Sequence, residues 1–175
     1  MLWKIKIKLS ILIFLLSFLD ITGGYIPFSD NIIFEAKKMD FYMRALHQPF
    51  SEKLLKECLY YEKIKNPSIV LLQARLETGD YTSIIFQDNS NLFGMKYAKG
   101  RETPATGILY GHAYYSHWTD SVKDYKLFQE WYLSVGWRLP DNDSDLYLVF
   151  LKCIRYARDP HYISKLIKLS EKDIS

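Results

Sequence analysis

Cysteine is scarce in this sequence, which limits the kinds of site the chain can form. Only Cys58 and Cys153 occur among its 175 residues, and neither has a neighbouring histidine. Two such cysteines do not make a zinc site, and we expect no metal or other cofactor. Both lie in apolar helical patterns, where a single cysteine behaves as a small buried hydrophobic residue. We therefore expect two buried thiols, although an exported protein could pair them.

The chain also lacks a large excess of positive or negative charge. The chain has 23 Lys and Arg residues against 20 Asp and Glu, a formal net charge of +3. Residues 1–24 contain three lysines and one aspartate, so 20 basic and 19 acidic residues remain in the rest of the chain. Nucleic-acid binding requires a clustered basic surface. We therefore expect no nucleic-acid partner.

The hydrophobic runs are too short for a comfortable membrane span. The apolar run LSILIFLLSFL covers residues 9–19, whereas a spanning helix needs about 20 apolar residues. Basic MLWKIKIK precedes the run and DITGG follows it, which is the order of an export signal. We predict an export signal at residues 1–24, cleaved after Gly24 or kept as an anchor, and a single domain at residues 25–175. The protein is then exported, to the periplasm, the cell envelope or the medium, with no stable membrane span after cleavage.

Helical patterns occupy most of the chain, whose 49% hydrophobic and 25% charged residues are typical of a globular protein. Ser51 is expected to cap one helix, and Pro67 to open the next with Asn66 as its N-cap. Gly79 would end that helix. The other expected elements are an extended lead-in at residues 25–33 and helices from Ile33 to Leu46, from Thr119 or Asp120, from Asp145 to Ala157, and from Asp159 and Pro160.

Residues 97–117 have a different composition from the helical segments. The stretch YAKGRETPATGILYGHAYYSH contains three glycines and a proline between short alternating runs. This pattern predicts turns and one or two short strands, with HAYYSHW as the best strand candidate. The fold class is therefore α+β and mainly helical, with a small β-lobe inserted after the third helix.

Glu77 stands out at the end of the helix PSIVLLQARLE. It shares a stripe with Val70 and Ala74, which indicates partial burial. Burial and the negative end of the helix dipole both raise the pKa of a carboxyl group, which would make Glu77 a proton donor near neutral pH. Gln73, one turn earlier, could hydrogen-bond it. A glutamate near a helix end is most often solvated, so its position alone does not indicate a catalytic role, and the motifs around it must be considered.

Four motifs occur in a characteristic order: LLQARLETG, NLFGMK beginning fourteen residues after Glu77, YSHWTDSVKDY, and YARDPHYISKL. Together they resemble the β-N-acetylglucosaminidase family of bacterial peptidoglycan hydrolases, glycoside hydrolase family 73, over about residues 66–169. The resemblance implies a lysozyme-like catalytic domain with a groove between a helical body and the β-lobe. It implies hydrolysis of the β-1,4 bond after N-acetylglucosamine, with peptidoglycan glycan strands as the partner. We expect the protein to be a monomer.

The resemblance also implies roles for individual residues. Glu77 matches the catalytic general acid, and Tyr156 of YARD matches a tyrosine near that acid. From its position one turn before Glu77, we also expect Gln73 to contact substrate. The other residues expected to bind substrate are Asn91, Phe93 and Gly94 of NLFG and Tyr115 at the exit of the β-lobe. Core packing is an equally good interpretation of Phe93.

A second carboxylate is harder to find. Retaining and inverting glycosidases separate their two carboxyl groups by about 5 Å and about 6.5–9.5 Å, respectively. The β-lobe offers only Glu102 as a general base, and a solvated turn residue is an equally good interpretation of it. Asp80 and Asp88 are alternatives, as is participation of the acetamido group of the substrate itself.

Some features depart from the usual family pattern and leave glycan specificity open. ETGDYTS replaces a turn that usually contains tryptophan, and ARDP replaces the usual ATDP. We interpret His112 and His117 as surface or substrate-facing residues rather than metal ligands. Two other functions stay open: a lysozyme-like muramidase or lytic transglycosylase, and a non-catalytic protein that binds cell-wall glycan.

Overall fold

The structure is a computed structural model that describes residues 30–174. The expected export signal and residues 25–29 of the expected lead-in lie outside the described residues. The chain divides into two compact units, residues 1–40 and residues 41–175. Of the first unit, residues 30–40 are described, and they are helical. None of the helices described is both long enough and apolar enough to cross a membrane.

The described part of the chain is mainly helical with one small sheet. Its elements are α1 Asp30–His47, α2 Glu52–Tyr61, α3 Pro67–Thr78, α4 Ile84–Asn89, β1 Gly107–Leu109, β2 His112–Tyr114, α5 Trp118–Ser134, α6 Ser144–Cys153 and α7 Tyr162–Ile174. This confirms the predicted fold class, a mainly helical α+β, lysozyme-like fold with a small β-lobe.

Three of the predicted helix boundaries are confirmed. The Ser51 hydroxyl accepts a hydrogen bond from the N–H three residues later, at 3.3 Å, and so caps α2. Pro67 opens α3, and Gly79 ends it in the left-handed conformation with φ +54°. Asn66 precedes α3 but does not cap it with its side chain. Its amide instead donates to the backbone carbonyl of Asp143 at 2.8 Å and so ties α3 to the start of α6.

Other boundaries differ from the prediction for local reasons. α1 begins at Asp30, so residues 30–33 of the expected lead-in are helical. α5 is capped by His117 rather than by Thr119 or Asp120, since the imidazole accepts the N–H of Thr119 at 3.3 Å. α7 begins only at Tyr162, because the carboxylate of Asp159 first forms a turn with the N–H of residue 161 at 2.8 Å. α6 runs from Ser144 to residue 153 and ends four residues early.

The helical core is centred on α3. This helix contacts α2, α6 and α7, and it is buried on most of its surface rather than along one stripe. Its buried residues are Ile69, Val70, Leu71, Leu72, Gln73, Ala74 and Thr78. A helix that is apolar on nearly all sides belongs in a core. α3 is therefore enclosed by its neighbours along most of its length.

The two cysteines are both thiols, as expected. Cys58 is buried in the core, but Cys153 is exposed, so the prediction of a buried Cys153 is wrong. Cys153 lies one turn after Val149, which is also exposed, whereas the buried face of α6 carries Tyr147 and Leu151. The apolar character of α6 as a whole therefore concealed which of its faces is buried.

The β-lobe is a single antiparallel hairpin. Gly107 pairs with Tyr114, and Ile108 pairs with Ala113. The predicted strand HAYYSHW is thus strand only over its first three residues. α4 packs against β2, and the Ala113 N–H donates to the carbonyl of Met95 at 2.9 Å. The hairpin is thereby fixed to the NLFG segment.

Candidate active site

Glu77 lies in the last turn of α3, partly buried, at the wall of a cavity of about 500 Å³. This cavity, which we call the Glu77 cavity, lies within residues 77–158. Its lining residues are Glu77, Phe93, Gly94, Met95, Lys96, Tyr97, Ala98, Arg101, Phe128, Tyr132, Ile154, Arg155, Tyr156, Ala157 and Arg158. The lining joins the end of α3, the NLFG segment, the chain before β1, and the segment after α6.

Burial of Glu77 changes its acidity in the direction expected from the sequence. Removal of the carboxyl group from water raises its pKa above the ordinary value. A side-chain hydrogen bond from the Tyr162 hydroxyl opposes this shift, because it stabilises the carboxylate. Burial is the larger of the two effects. Glu77 therefore retains its proton at a higher pH than a solvated glutamate does.

Gly94 brings the backbone of the NLFG segment directly against Glu77. Its φ is +61°, and a Cβ placed on it would lie 2.9 Å from Glu77 Oε2 and 3.6 Å from Glu77 Cδ. Real Cβ atoms do not approach another heavy atom so closely. Any other residue at position 94 would therefore strain the backbone and also force the Glu77 carboxyl group to move.

Asn91 shapes the loop that carries Gly94. Its amide nitrogen donates to the carbonyls of Met95 and Ala113, both at 2.9 Å. Its Oδ1 accepts the N–H of Phe93 at 3.3 Å and of Met95 at 3.1 Å. Asn91 is only 1% exposed and is not among the residues that line the Glu77 cavity. The structure therefore places Asn91 as a support of the cavity wall rather than as the expected substrate contact.

Phe93 and Tyr156 meet at the wall of the cavity. The Tyr156 hydroxyl donates to the backbone carbonyl of Phe93 at 2.9 Å. The Phe93 side chain itself is buried and packs on Tyr125, with ring centroids 4.5 Å apart, so its ring belongs to the core. Burial, together with the nearby charge of Glu77, raises the pKa of Tyr156 well above its ordinary value. Tyr156 therefore stays a neutral hydrogen-bond donor beside Glu77.

A chain of hydrogen bonds leads from the core to Glu77. The Tyr162 hydroxyl, which hydrogen-bonds to Glu77, accepts a hydrogen bond from Gln73 Nε2 at 3.1 Å. Gln73 Oε1 accepts from the Tyr125 hydroxyl at 2.6 Å. Because the Tyr125 proton is used there, the Tyr147 hydroxyl 2.9 Å away is the donor to Tyr125. Gln73 is fully buried and reaches Glu77 through Tyr162, so the structure does not support its expected contact with substrate.

Arg101 lines the cavity from the chain before β1 and is anchored to α5. Its guanidinium makes two contacts with the Asp124 carboxylate, at 2.6 and 3.2 Å. The Asp124 side chain is fully buried, and the Tyr115 hydroxyl also donates to it, at 2.7 Å. Tyr115 is itself fully buried. The structure therefore does not support the expected role of Tyr115 at the β-lobe exit, since its ring and its hydroxyl are both used internally.

The candidate second carboxylates lie away from the cavity lining. Glu102 is exposed, and neither it nor Asp80 or Asp88 is among the lining residues. Asp88 accepts a hydrogen bond from the Tyr110 hydroxyl at 3.0 Å. Among the described residues that line the cavity, Glu77 is the only acidic one. One carboxyl group and four basic side chains thus face this space.

The histidines also lie outside the cavity lining. His112 contacts the ammonium of Lys96 at 3.0 Å on the β-lobe surface. His117 caps α5, and burial lowers its pKa. No group of three or more His, Cys, Asp or Glu residues suited to a metal ion occurs in the described part of the chain.

The sequence did not single out several residues of this site. Tyr162 lies within the quoted YARDPHYISKL motif, but its contact with Glu77 depends on how α7 packs against α3. Lys96, Arg155 and Arg158 line the cavity without any helical or strand pattern to indicate it. For Arg158 the available signal was the departure of ARDP from ATDP.

A mainly helical, lysozyme-like fold with a partly buried carboxyl group of raised pKa at a cavity wall is the arrangement expected of a glycosidase. The family model for mannosyl-glycoprotein endo-beta-N-acetylglucosaminidase matches residues 56–174. The chain belongs to this glucosaminidase family, a peptidoglycan-related family of glycosidases.

One curated relative illustrates the similarity at the level of single proteins. The chain is 43% identical over 58 residues to "Protein bax" from Escherichia coli (strain K12), a match that covers 33% of this chain and 21% of the relative. The matched region thus spans about a fifth of that relative's length. No solved structure matches the chain significantly.

Proposed function

We propose that this protein is a peptidoglycan hydrolase that cleaves the β-1,4 bond after N-acetylglucosamine, with Glu77 as the general acid. The observation that carries the proposal is the position of Glu77. It is the only acidic side chain among the described residues that line the cavity, and burial raises its pKa. A carboxyl group that stays protonated is the group a glycosidase needs to protonate its leaving oxygen.

The first step of the proposed hydrolysis uses the acid form of Glu77. The protonated Glu77 donates its proton to the glycosidic oxygen while the bond from that oxygen to C1 of the N-acetylglucosamine unit breaks. The positive charge that develops on the sugar ring requires stabilisation by an electron donor on the opposite face. After this step Glu77 is a carboxylate, which the Tyr162 hydroxyl stabilises by its hydrogen bond.

We propose that the acetamido group of the substrate supplies that electron donor. Its carbonyl oxygen bonds to C1 as the leaving oxygen departs, and water then attacks C1 and breaks the temporary ring. Glu77, now a carboxylate, accepts the proton of this water and returns to its acid form. This route needs one protein carboxyl group, which agrees with the position of Glu102 outside the cavity lining.

Tyr156 and Gly94 are proposed to hold this arrangement. Tyr156 fixes the backbone at Phe93 through its 2.9 Å hydrogen bond, and Gly94 allows that backbone to lie against Glu77. A sugar unit in the cavity would then meet a fixed wall on the side of the acid. We further propose that the protein acts on glycan strands after export to the cell envelope.

Analysis of the products tests which bond is cut. Purified peptidoglycan is digested with the protein, the new ends are reduced with borohydride, and the fragments are identified by mass spectrometry. Reduced N-acetylglucosamine ends are expected. Reduced or anhydro-muramic acid ends would identify a muramidase or a lytic transglycosylase instead. Binding to the wall without new ends would leave a glycan-binding protein.

A further inference from the structure

The Glu77 cavity adjoins a second concave surface. This second groove has a volume of about 770 Å³ and is lined by Leu151, Lys152, Arg155, Ala157, Arg158, Asp159, Pro160, Tyr162, Ile163, Ser164 and Ile167. Arg155, Ala157 and Arg158 line both spaces. The segment after α6 is therefore a shared wall, and a branched ligand could occupy both spaces across it.

The charges at this wall are not neutralised by the protein. Of the basic residues in the Glu77 cavity, Arg101 is paired with Asp124, and Lys96 donates to the carbonyl of Gly111 at 2.9 Å. Within the part of the chain that the structure describes, Arg155 and Arg158 make no ion pair. Two guanidinium groups thus face the junction of the two spaces without an anionic partner.

The acidic residue of the second groove does not change this balance. Asp159 is paired with Lys165 of α7 at 2.6 Å, so its charge is already used. The rest of the second groove combines apolar residues of α6 and α7 with Lys152. Its chemistry suits a ligand with carboxylate groups on an aliphatic chain.

The backbone at Arg155 fixes the position of this side chain after α6. Arg155 has a φ of +52° and follows Ile154, the C-cap of α6, at the position where glycine is the usual residue. A side chain in this conformation costs about 1–2 kcal/mol relative to glycine. Tyr156 follows immediately, so the same turn orients both Arg155 and the hydrogen bond to Phe93.

We propose that Arg155 and Arg158 bind the carboxylates of the peptide branch of the glycan. The glycan strand would occupy the Glu77 cavity, and the acidic peptide attached to its lactyl group would cross the shared wall into the second groove. Arginine suits this task because its planar guanidinium donates two parallel hydrogen bonds to one carboxylate. The inference rests on the proposed function, since it adds a subsite for the peptide branch to the same cavity.

The direct test compares binding of three forms of one glycan: peptide-bearing strands, the same strands with their carboxyl groups converted to amides, and strands stripped of peptide. The full chain carrying Glu77→Gln is used, so that cleavage does not consume the ligand, and Kd is measured for each form. We expect peptide-bearing strands to bind about tenfold more tightly than the amidated or stripped strands. Hydrogen bonds to a charged group contribute enough free energy for a difference of that size. Equal Kd values for the three forms would overturn the proposal.

Variants then assign the effect to residues. In the double variant Arg155→Gln/Arg158→Gln, the tenfold preference for peptide-bearing strands is expected to disappear. Arg138→Gln is the matched control, since Arg138 is exposed and lines neither space, and it should retain the preference. Loss of the preference in the control would contradict the assignment. The variant Arg155→Gly, which suits the positive φ, gives a second folded protein without the guanidinium.

The outcome separates this inference from the proposed hydrolase activity. If the wild-type protein cuts no glycan but prefers peptide-bearing strands through Arg155 and Arg158, the proposed subsite is supported and the proposed hydrolase activity is not. If the wild-type protein releases reduced N-acetylglucosamine ends but amidated and peptide-bearing strands bind equally well, the proposed hydrolase activity is supported and the proposed subsite is not.

Discussion

The carboxyl group of Glu77 lies directly against the backbone of Gly94, so closely that a Cβ at residue 94 would be 2.9 Å from Glu77 Oε2. The end of α3 and the NLFG segment thus meet at one point in the wall of the cavity. Asn91 maintains this contact from behind through four hydrogen bonds to the loop and to β2. The acid is therefore positioned by the β-lobe side of the site as well as by its own helix.

Substitution of Gly94 tests whether this contact matters for activity. Gly94→Ala places a methyl group against the carboxyl group, which must move, and we expect the cleavage rate to fall more than tenfold, since small displacements of a catalytic group have effects of that size. Positive φ alone makes the substitution cost about 1–2 kcal/mol of stability. Rates on peptidoglycan and urea unfolding curves measure the two effects separately.

Gly111→Ala is the matched control for this prediction. Gly111 has a similar φ of +69°, but a Cβ there meets nothing within 4 Å. It should therefore lose a similar amount of stability and keep the wild-type rate. Equal rates for Gly94→Ala and Gly111→Ala would show that the close contact with Glu77 is unimportant.

The pH dependence of activity should depend on Tyr162. Activity requires protonated Glu77, so kcat/KM falls as pH rises through its raised pKa. The Tyr162 hydrogen bond lowers this pKa, so in Tyr162→Phe the pKa rises further and the descending limb moves to higher pH. A limb that stays in place or moves to lower pH would contradict the contact. The variant also leaves Gln73 Nε2 without its acceptor, at a cost of about 1–3 kcal/mol.

The same shift predicts a pH dependence of stability. The pKa of Glu77 is higher in the folded protein than in the unfolded chain. Its contribution to the free energy of unfolding is therefore fully present at a pH below the pKa in the unfolded chain. The contribution is lost as pH rises through the folded value. Glu77→Gln cannot ionise, so its Tm relative to wild type should increase over that pH interval. A constant difference in Tm across the interval would indicate that Glu77 is solvated.

Asn91 should be needed for stability rather than for direct contact with substrate. Asn91→Asp replaces the donating amide with a carboxylate oxygen, which then faces the carbonyls of Met95 and Ala113 without a proton to share. We expect a loss of at least about 1–3 kcal/mol in the free energy of unfolding, the usual effect of leaving buried groups unsatisfied. Urea unfolding measures it, with exposed Asn142→Asp as the control. A wild-type unfolding midpoint would contradict the loop-supporting role.

Glu102 distinguishes the two possible mechanisms. In the acetamido route Glu102 has no chemical role, so Glu102→Gln should retain the wild-type cleavage rate. This agrees with its exposed side chain outside the cavity lining. A loss of about 10²–10⁴-fold, as for a missing general base, would instead make Glu102 the second carboxylate and would require the β-lobe to move towards Glu77. Initial rates on peptidoglycan decide between them.

The sequence predicts those features that depend on local chemistry. Ser51, Pro67 and Gly79 have fixed preferences at helix ends, and the structure confirms all three. The short helix α4 was not predicted, because the six residues Ile84–Asn89 are too few to show a helical period. Its polar composition does not indicate burial either, although Asn89 is fully buried.

The site residues were harder to place because burial is a property of the packed chain. Tyr115 and Gln73 lie in the expected motifs, but both are fully buried, and no local pattern separates a polar residue that faces a cavity from one that supports it. Arg155 was not predicted as a site residue. Its side chain is placed by its own left-handed backbone conformation after α6, which the sequence does not indicate. The motifs therefore locate the region of the site, and the packing decides which side chains face it.

The central claim is that Glu77 is the general acid, and one comparison tests it most directly. Wild type and Glu77→Gln, each shown to be folded by thermal unfolding, are incubated with purified peptidoglycan, and the reduced N-acetylglucosamine ends are counted. The account predicts that the variant loses at least about 10²-fold in rate, the usual contribution of a general acid. A folded Glu77→Gln protein that releases these ends at the wild-type rate would contradict the account.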